Sequence, residues 1–161
     1  MTSTGTPVPV PHRRLVVGFD GSESSVSAIE WAASEAESRA ASVLIVSSYA
    51  MEPVVDFGAG ASGSGVDMSE VTAACQDRLR VTAAKVFADH RDVEHDIEVS
   101  RASPAIALLR EAEDADLVIV GSSGAGSITR FLLGSVTEQL VARAPCSVFV
   151  VKPQGYPYLR D

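Results

Sequence analysis

Apolar residues in this chain come in short unbroken runs, separated by stretches with helical spacing. Leu15-Val16-Val17-Gly18-Phe19 ends at Asp20-Gly21, which predicts a buried strand followed by a turn. Ser22 suits the cap of a following helix, and Glu23 suits its positive N-terminal end. Val26, Ile29, Ala33, Ala36 and Ala40 step by three and four, so they form one helical face. Val43-Leu44-Ile45-Val46 predicts a second buried strand. Residues 47–66 read as loop, with a Gly/Ser-rich heart over 58–65. A long helix is expected over about 67–88, with Met68, Val71, Cys75, Leu79, Ala83 and Val86 as its apolar stripe. Within that stripe Cys75 reads as a small buried hydrophobe.

The period then changes to two. Val93, His95, Ile97 and Val99 alternate with Glu94, Asp96, Glu98 and Ser100, which predicts a strand with one wet face at a sheet edge. Pro104 opens a short helix whose inward residues are expected to be Ile106, Leu109 and Ala112. Leu117-Val118-Ile119-Val120 is a fully buried strand running into Gly121-Ser-Ser-Gly-Ala-Gly126. Phe131, Leu132, Val136 and Leu140 mark a last helix, and Val148-Phe149-Val150-Val151 a last strand stopped by Pro153.

Strands alternating with helices predict an α/β fold: an open, doubly wound, five-stranded parallel sheet with helices on both faces. Right-handed crossovers and the half-wet third strand favour the order 3-2-1-4-5. Winding then reverses between the first and fourth strands, and a ligand crevice opens there at the strands' carboxyl ends. The expected organisation is a tail over 1–13, one α/β domain over 14–153 and a tail over 154–161.

Two loops flank that crevice. The first, Gly18-Phe19-Asp20-Gly21-Ser22, brings a carboxylate; the second, after Gly121, brings glycines whose backbone N–H groups can cradle phosphate. Gly134-Ser135 adds a hydroxyl if the chain after Ala125 loops back. A hydroxyl hydrogen bond to a charged group is worth about 1.5–3 kcal/mol, so a few support micromolar binding, about −8 kcal/mol. GxGxxG over residues 58–63 is a decoy, because no strand leads directly into it. No Gly-Lys-[Ser/Thr] occurs, so no Walker A loop is present.

Composition narrows the partners. Hydrophobic residues are 46% and the formal net charge is −8. That charge disfavours nucleic acid and anionic membrane as partners. The two cysteines lie far apart with no CxxC, and the three histidines form no HExxH, so a zinc site is not expected. The Pro/Thr-rich start carries no apolar leader core, and no run reaches a membrane span. The expectation is a cytoplasmic protein with free thiols.

Gly121-x2-Gly124-x9-Gly134-Ser135 matches the spaced glycine-serine motif of the universal stress protein family. LVVGFDGS over residues 15–22 resembles its N-terminal signature. ADLVIVG over 115–121, LLGSV over 132–136 and PCSVFVV over 145–151 are similar to its other blocks. The resemblance covers roughly residues 14–153 and implies the same α/β fold and strand order, with ATP at the switch point. It implies that Asp20, after Gly18 and Phe19, contacts the ribose side. Val46 and Ser47 would meet the adenine edge. Gly121, Gly124, Gly134, Ser135 and Val136 would hold the phosphates. It also implies a homodimer through the last strand, which agrees with the uncharged run Val148, Phe149, Val150, Val151.

Two positions depart from the family pattern. Ala125 stands where many ATP-binding members carry a basic or polar residue after the second motif glycine, and Arg130 is a candidate substitute. Ala102 stands where glycine is frequent, and its methyl is expected to narrow the adenine pocket. Several alternatives stay open. The ligand is ATP, cAMP or AMP, with Mg²⁺ reached by Asp20 through bound phosphates. The activity is binding alone or, at most, slow ATP hydrolysis. A nucleotide-free interaction protein would keep the glycines for the turn alone and use Asp20 and Ser135 as helix caps. Residues 57–65 are a lid or a plain loop.

Overall fold

The computed structural model describes residues 13–49, 68–122 and 133–152. Its elements alternate as expected. They are β1 (Arg13–Phe19), α1 (Glu23–Arg39), β2 (Ala41–Ser48), α2 (Met68–Phe87), β3 (His95–Ser100), α3 (Pro104–Glu111), β4 (Leu117–Gly121), α4 (Ser135–Arg143) and β5 (Ser147–Val151). A single 3-10 turn, Ala112–Asp114, links α3 to β4. The five strands form one sheet in the order β3-β2-β1-β4-β5, and every pairing is parallel.

Alternation along the central strands divides the core into two layers. Leu15 and Val17 of β1, with Val43 and Ile45 of β2, face α1 and α2 and meet Ile29, Ala33 and Leu79. Val16, Leu44, Val46 and Val118 face the other way, onto Leu108 of α3 and Leu140 of α4. This two-sided covering explains why β1, β2 and β4 are unbroken apolar runs. β3 lies at a sheet edge as expected, but it is exposed or half-buried throughout, without the alternation of buried and wet positions that its sequence predicts. β5 closes the other edge, where Phe149 stacks on Trp31 of α1 with ring centroids 4.0 Å apart.

Several local expectations need correction. β1 begins at Arg13 rather than Leu15, because Arg14 is tied at its backbone to Asp116 and at its side chain to Glu111. Val93 is buried but precedes β3, its N–H donating to the His90 carbonyl in a turn. His95 is exposed and stacks on Phe87 instead of entering the core. Ile106 is 45% exposed, and Ala105, Ala107 and Leu108 take the inward positions of α3. Ala40 ends α1 as a left-handed cap at φ 50° rather than extending its apolar face. Cys75 is only half-buried. Phe131 and Leu132 lie outside the described residues, and α4 starts at Ser135.

Candidate functional site

A cleft of about 330 Å³ opens at the carboxyl ends of β1 and β4, where the winding reverses. Gly18, Phe19, Asp20, Val46, Ser47, Gly121, Gly134, Ser135 and Val136 all line it. Gly124, Ala125, Arg130 and residues 57–65 lie outside the described residues.

The first wall is the β1–α1 turn. Gly21 sits at φ +81°, a left-handed conformation that favours glycine. The Asp20 carboxylate accepts the Ser22 N–H at 2.9 Å. Ser22 Oγ accepts the Ser25 N–H at 3.2 Å and so caps α1. The cap is therefore Ser22, as its sequence position suggested, and not Asp20. The carboxylate instead braces the turn at the mouth of the cleft.

The second wall joins the two halves of the glycine-serine motif. The Gly134 N–H donates to the Ser122 carbonyl at 3.2 Å, and Thr137 Oγ1 donates to the Gly121 carbonyl at 3.1 Å. These bonds bring the start of α4 back to the end of β4. Gly134 is the N-cap of α4 and supplies no side-chain cap, and Ser135 is the first helical residue. Ser135 is thus not a cap either. The first-turn amides of an uncapped helix carry partial positive charge and suit an anion. Gly121 has a packing duty as well: a Cβ there would fall 2.5 Å from Ser24 Oγ and 2.9 Å from the Ser24 carbonyl carbon. Its missing side chain lets α1 approach the end of β4.

The third wall comes from β2 and α3. Val46, Leu108 and Val120 provide apolar surface, with Pro104, Ser47 and Ser48 beside them. Ser48 Oγ donates to the Ala102 carbonyl, which ties the end of β2 to the turn before α3. Ala102 is not among the lining residues, and Pro104 and Leu108 shape that wall. Just outside, Arg101 Nε donates to the Tyr49 hydroxyl at 2.7 Å. The Tyr49 phenol is held below its ordinary 10.0, chiefly by a hydrogen bond with Thr72. Burial opposes this, and Arg101 assists.

Ser22, Ser25, Ser48, Pro104, Leu108, Val120 and Thr137 line the cleft without having been singled out as ligand contacts in the sequence. Thr137 carried a usable signal, since it stands three residues beyond Gly134 on the first turn of α4. The others depend on how α3 and α1 tilt over the sheet, which no local pattern encodes. Chemically, the cleft pairs an apolar pocket with one carboxylate and a hydroxyl-lined helix start. That combination suits a planar base, a polyol such as ribose, and a phosphate. Among the described residues, no group of three or more His, Cys, Asp or Glu side chains converges on a metal position. No helix among them is long and apolar enough to cross a membrane.

The model of the universal stress protein family matches residues 11–152. A universal stress protein of Mycobacterium tuberculosis is 34% identical over 147 residues, covering 91% of this chain and 50% of that protein. One of Thermus aquaticus is 30% identical over 142 residues, covering 87% of this chain and 98% of that protein. The chain thus spans about half the length of the mycobacterial relatives it matches, and nearly all of the Thermus one. Among solved structures, a universal stress protein in complex with cAMP superposes with a TM-score of 0.66 at 25% identity. That match covers 90% of this chain and 100% of the other.

Proposed function

The chain belongs to the universal stress protein family, and from that membership we propose that it binds an adenine nucleotide at the β1/β4 switch point. Its role on this reading is regulatory: a cytoplasmic stress-response protein whose surface for a partner changes with nucleotide occupancy. The nucleotide-binding domain would span about residues 14–153. The observation that carries the proposal is the convergence of Asp20 with the start of α4, where Gly134 supplies no side-chain cap and Ser135 follows, around one partly apolar cleft. In this reading Val46 and Ser47 meet the adenine edge and Asp20 accepts from ribose hydroxyls. Gly121, Gly124, Gly134, Ser135 and Val136 hold the phosphates, with Gly18, Phe19 and Ala125 flanking them. ATP is the leading ligand. Mg²⁺, if bound, reaches Asp20 through the phosphates and belongs to the nucleotide. Slow hydrolysis is compatible with that arrangement and is not needed for a regulatory role.

A second reading keeps the site and changes the ligand to cAMP. The cAMP complex of the 25% identical relative favours it. A monophosphate also needs fewer phosphate contacts, so alanine at position 125 matters less. Calorimetry with ATP-Mg²⁺ and with cAMP separates the two. Ser135→Ala and Gly124→Val should each weaken the preferred ligand about tenfold, the equivalent of one charge-assisted contact. Unchanged affinity in both variants, with the fold intact, would remove the phosphate assignment.

The family resemblance also supports a homodimer through β5. That strand is a sheet edge with half-buried Val148 and Val150 and a partly exposed Phe149.

A further inference from the structure

The β1–α1 turn is held from outside the cleft by a residue that no motif points to. Arg78 lies midway along α2, and its Nη2 donates to the Gly21 carbonyl at 2.9 Å, across 57 positions of sequence. A Cβ on Gly21 would fall 2.4–2.6 Å from the guanidinium carbon and both terminal nitrogens. The guanidinium therefore occupies the space that any side chain at position 21 would need. The positive φ of Gly21 is what calls for glycine there, and the exposed guanidinium of Arg78 sits over its bare Cα. On either side of that peptide the turn is one bonded unit. Asp20 accepts from the Ser22 N–H, Ser22 Oγ accepts from the Ser25 N–H, and the Ser22 carbonyl accepts from Val26. Arg78 ties this unit to a different helix.

We infer that Arg78 is a positioning residue for Asp20. By anchoring the Gly21 peptide it fixes the aim of the carboxylate at the ligand, and it makes affinity depend on how α2 is seated. This rests on the nucleotide reading above and adds the α2 tether to it. A rigid turn loses less entropy when the ligand engages it, so the tether appears as affinity through preorganisation. The planar guanidinium suits the position over a glycine better than an ammonium does.

The test compares Arg78→Ala, Arg78→Lys, Asp20→Asn and the Arg78→Ala/Asp20→Asn double variant. Each is titrated with ATP and with 2′,3′-dideoxy-ATP, which lacks both hydroxyls that the carboxylate can accept from. Arg78→Ala is expected to weaken ATP about fivefold and to leave dideoxy-ATP unchanged. Arg78→Lys should recover part of the loss, and the double variant should bind ATP no worse than Asp20→Asn alone. Equal losses for both nucleotides, additive losses in the double variant, or no loss at all would overturn the inference. Amide exchange in the ligand-free protein gives an independent readout. Arg78→Ala should speed exchange at the Ser22 N–H and leave Ile29 and Ala33 in mid-α1 unchanged; an unchanged Ser22 rate would overturn the tether. A wild-type protein that binds neither nucleotide would instead overturn the nucleotide reading, and the exchange result would then judge the tether alone.

Discussion

Gly121 is the residue at which packing and proposed function are most tightly combined. Its carbonyl accepts from Thr137, its missing Cβ admits Ser24, and its backbone lines the cleft. Gly121→Ala should therefore destabilise the fold by about 1–3 kcal/mol, because the clash includes backbone of α1; thermal denaturation measures it. Thr137→Val removes one hydrogen bond and should cost about 1 kcal/mol. It should also loosen the start of α4, so ligand affinity should fall together with stability. Cys146 supplies a pH test. Burial pushes its thiol above the ordinary 9.0. The folded state then holds the proton where the unfolded state has released it. This contribution to stability is complete below about pH 9 and is lost as pH rises through the folded-state value. In a Cys75→Ser background, alkylation of Cys146 should show a midpoint above 9.0 in the native protein and near 9.0 in denaturant. Equal midpoints would contradict the burial argument. Gly121 was legible as a motif glycine, though it closes β4 rather than opening the loop, and its contact with Ser24 was not legible, since nothing in the sequence gives the tilt of α1 over β4.

At the scale of elements, strand identity was the clearest signal. The runs at Leu15, Val43, Leu117 and Val148 each fall in a strand of the sheet. In β1, β2 and β4, covered on both faces, no polar position blurs such runs, whereas the run of edge strand β5 is apolar although its residues are half-buried or exposed. Helix faces were harder to read. In α3 the expected inward Ile106 points out, because small Ala105 and Ala107 let the helix pack close beside Leu108. In α4, Leu140 is completely buried and anchors the helix whose first turn forms the second wall of the cleft. Leu140→Ala should cost about 2–5 kcal/mol, read as a shift in the denaturation midpoint. If α4 seats the phosphate side of the site, the same variant should weaken nucleotide binding more than an equally destabilising change in the other layer, such as Leu15→Ala. Leu15 is buried in the layer on the opposite face of the sheet, near the amino end of β1 and away from the cleft. Equal effects on affinity would mean that α4 contributes only through global stability.

The whole molecule carries a formal charge of −8, and the cleft's described lining residues include Asp20 but no lysine or arginine. On the proposed reading, the described lining residues would hold a phosphate through amides and hydroxyls rather than cationic side chains. Raising ionic strength from about 0.01 M to 0.15 M should therefore leave ATP affinity unchanged or improve it, as screening removes long-range repulsion. A steep loss with salt would point to cationic contacts instead. Sedimentation should report a dimer, and lysine at both Val148 and Val150 should shift it to monomer if the β5 edge is the contact. The overall topology was readable because edge strand β3 has a different period from the apolar runs of the other strands; the cleft's depth was not, since Pro104, Leu108 and Ser48 meet only after α3 folds over the sheet. The central claim is that this cleft binds an adenine nucleotide. It is tested most directly by titration calorimetry of protein stripped of ligand, with ATP-Mg²⁺ and with cAMP, after checking the unstripped protein for co-purified nucleotide. Saturable binding of one of them near one per subunit is the expected result. No heat with either ligand and no co-purified nucleotide would contradict the account, leaving the glycines of the motif to the turn and to the packing of α1.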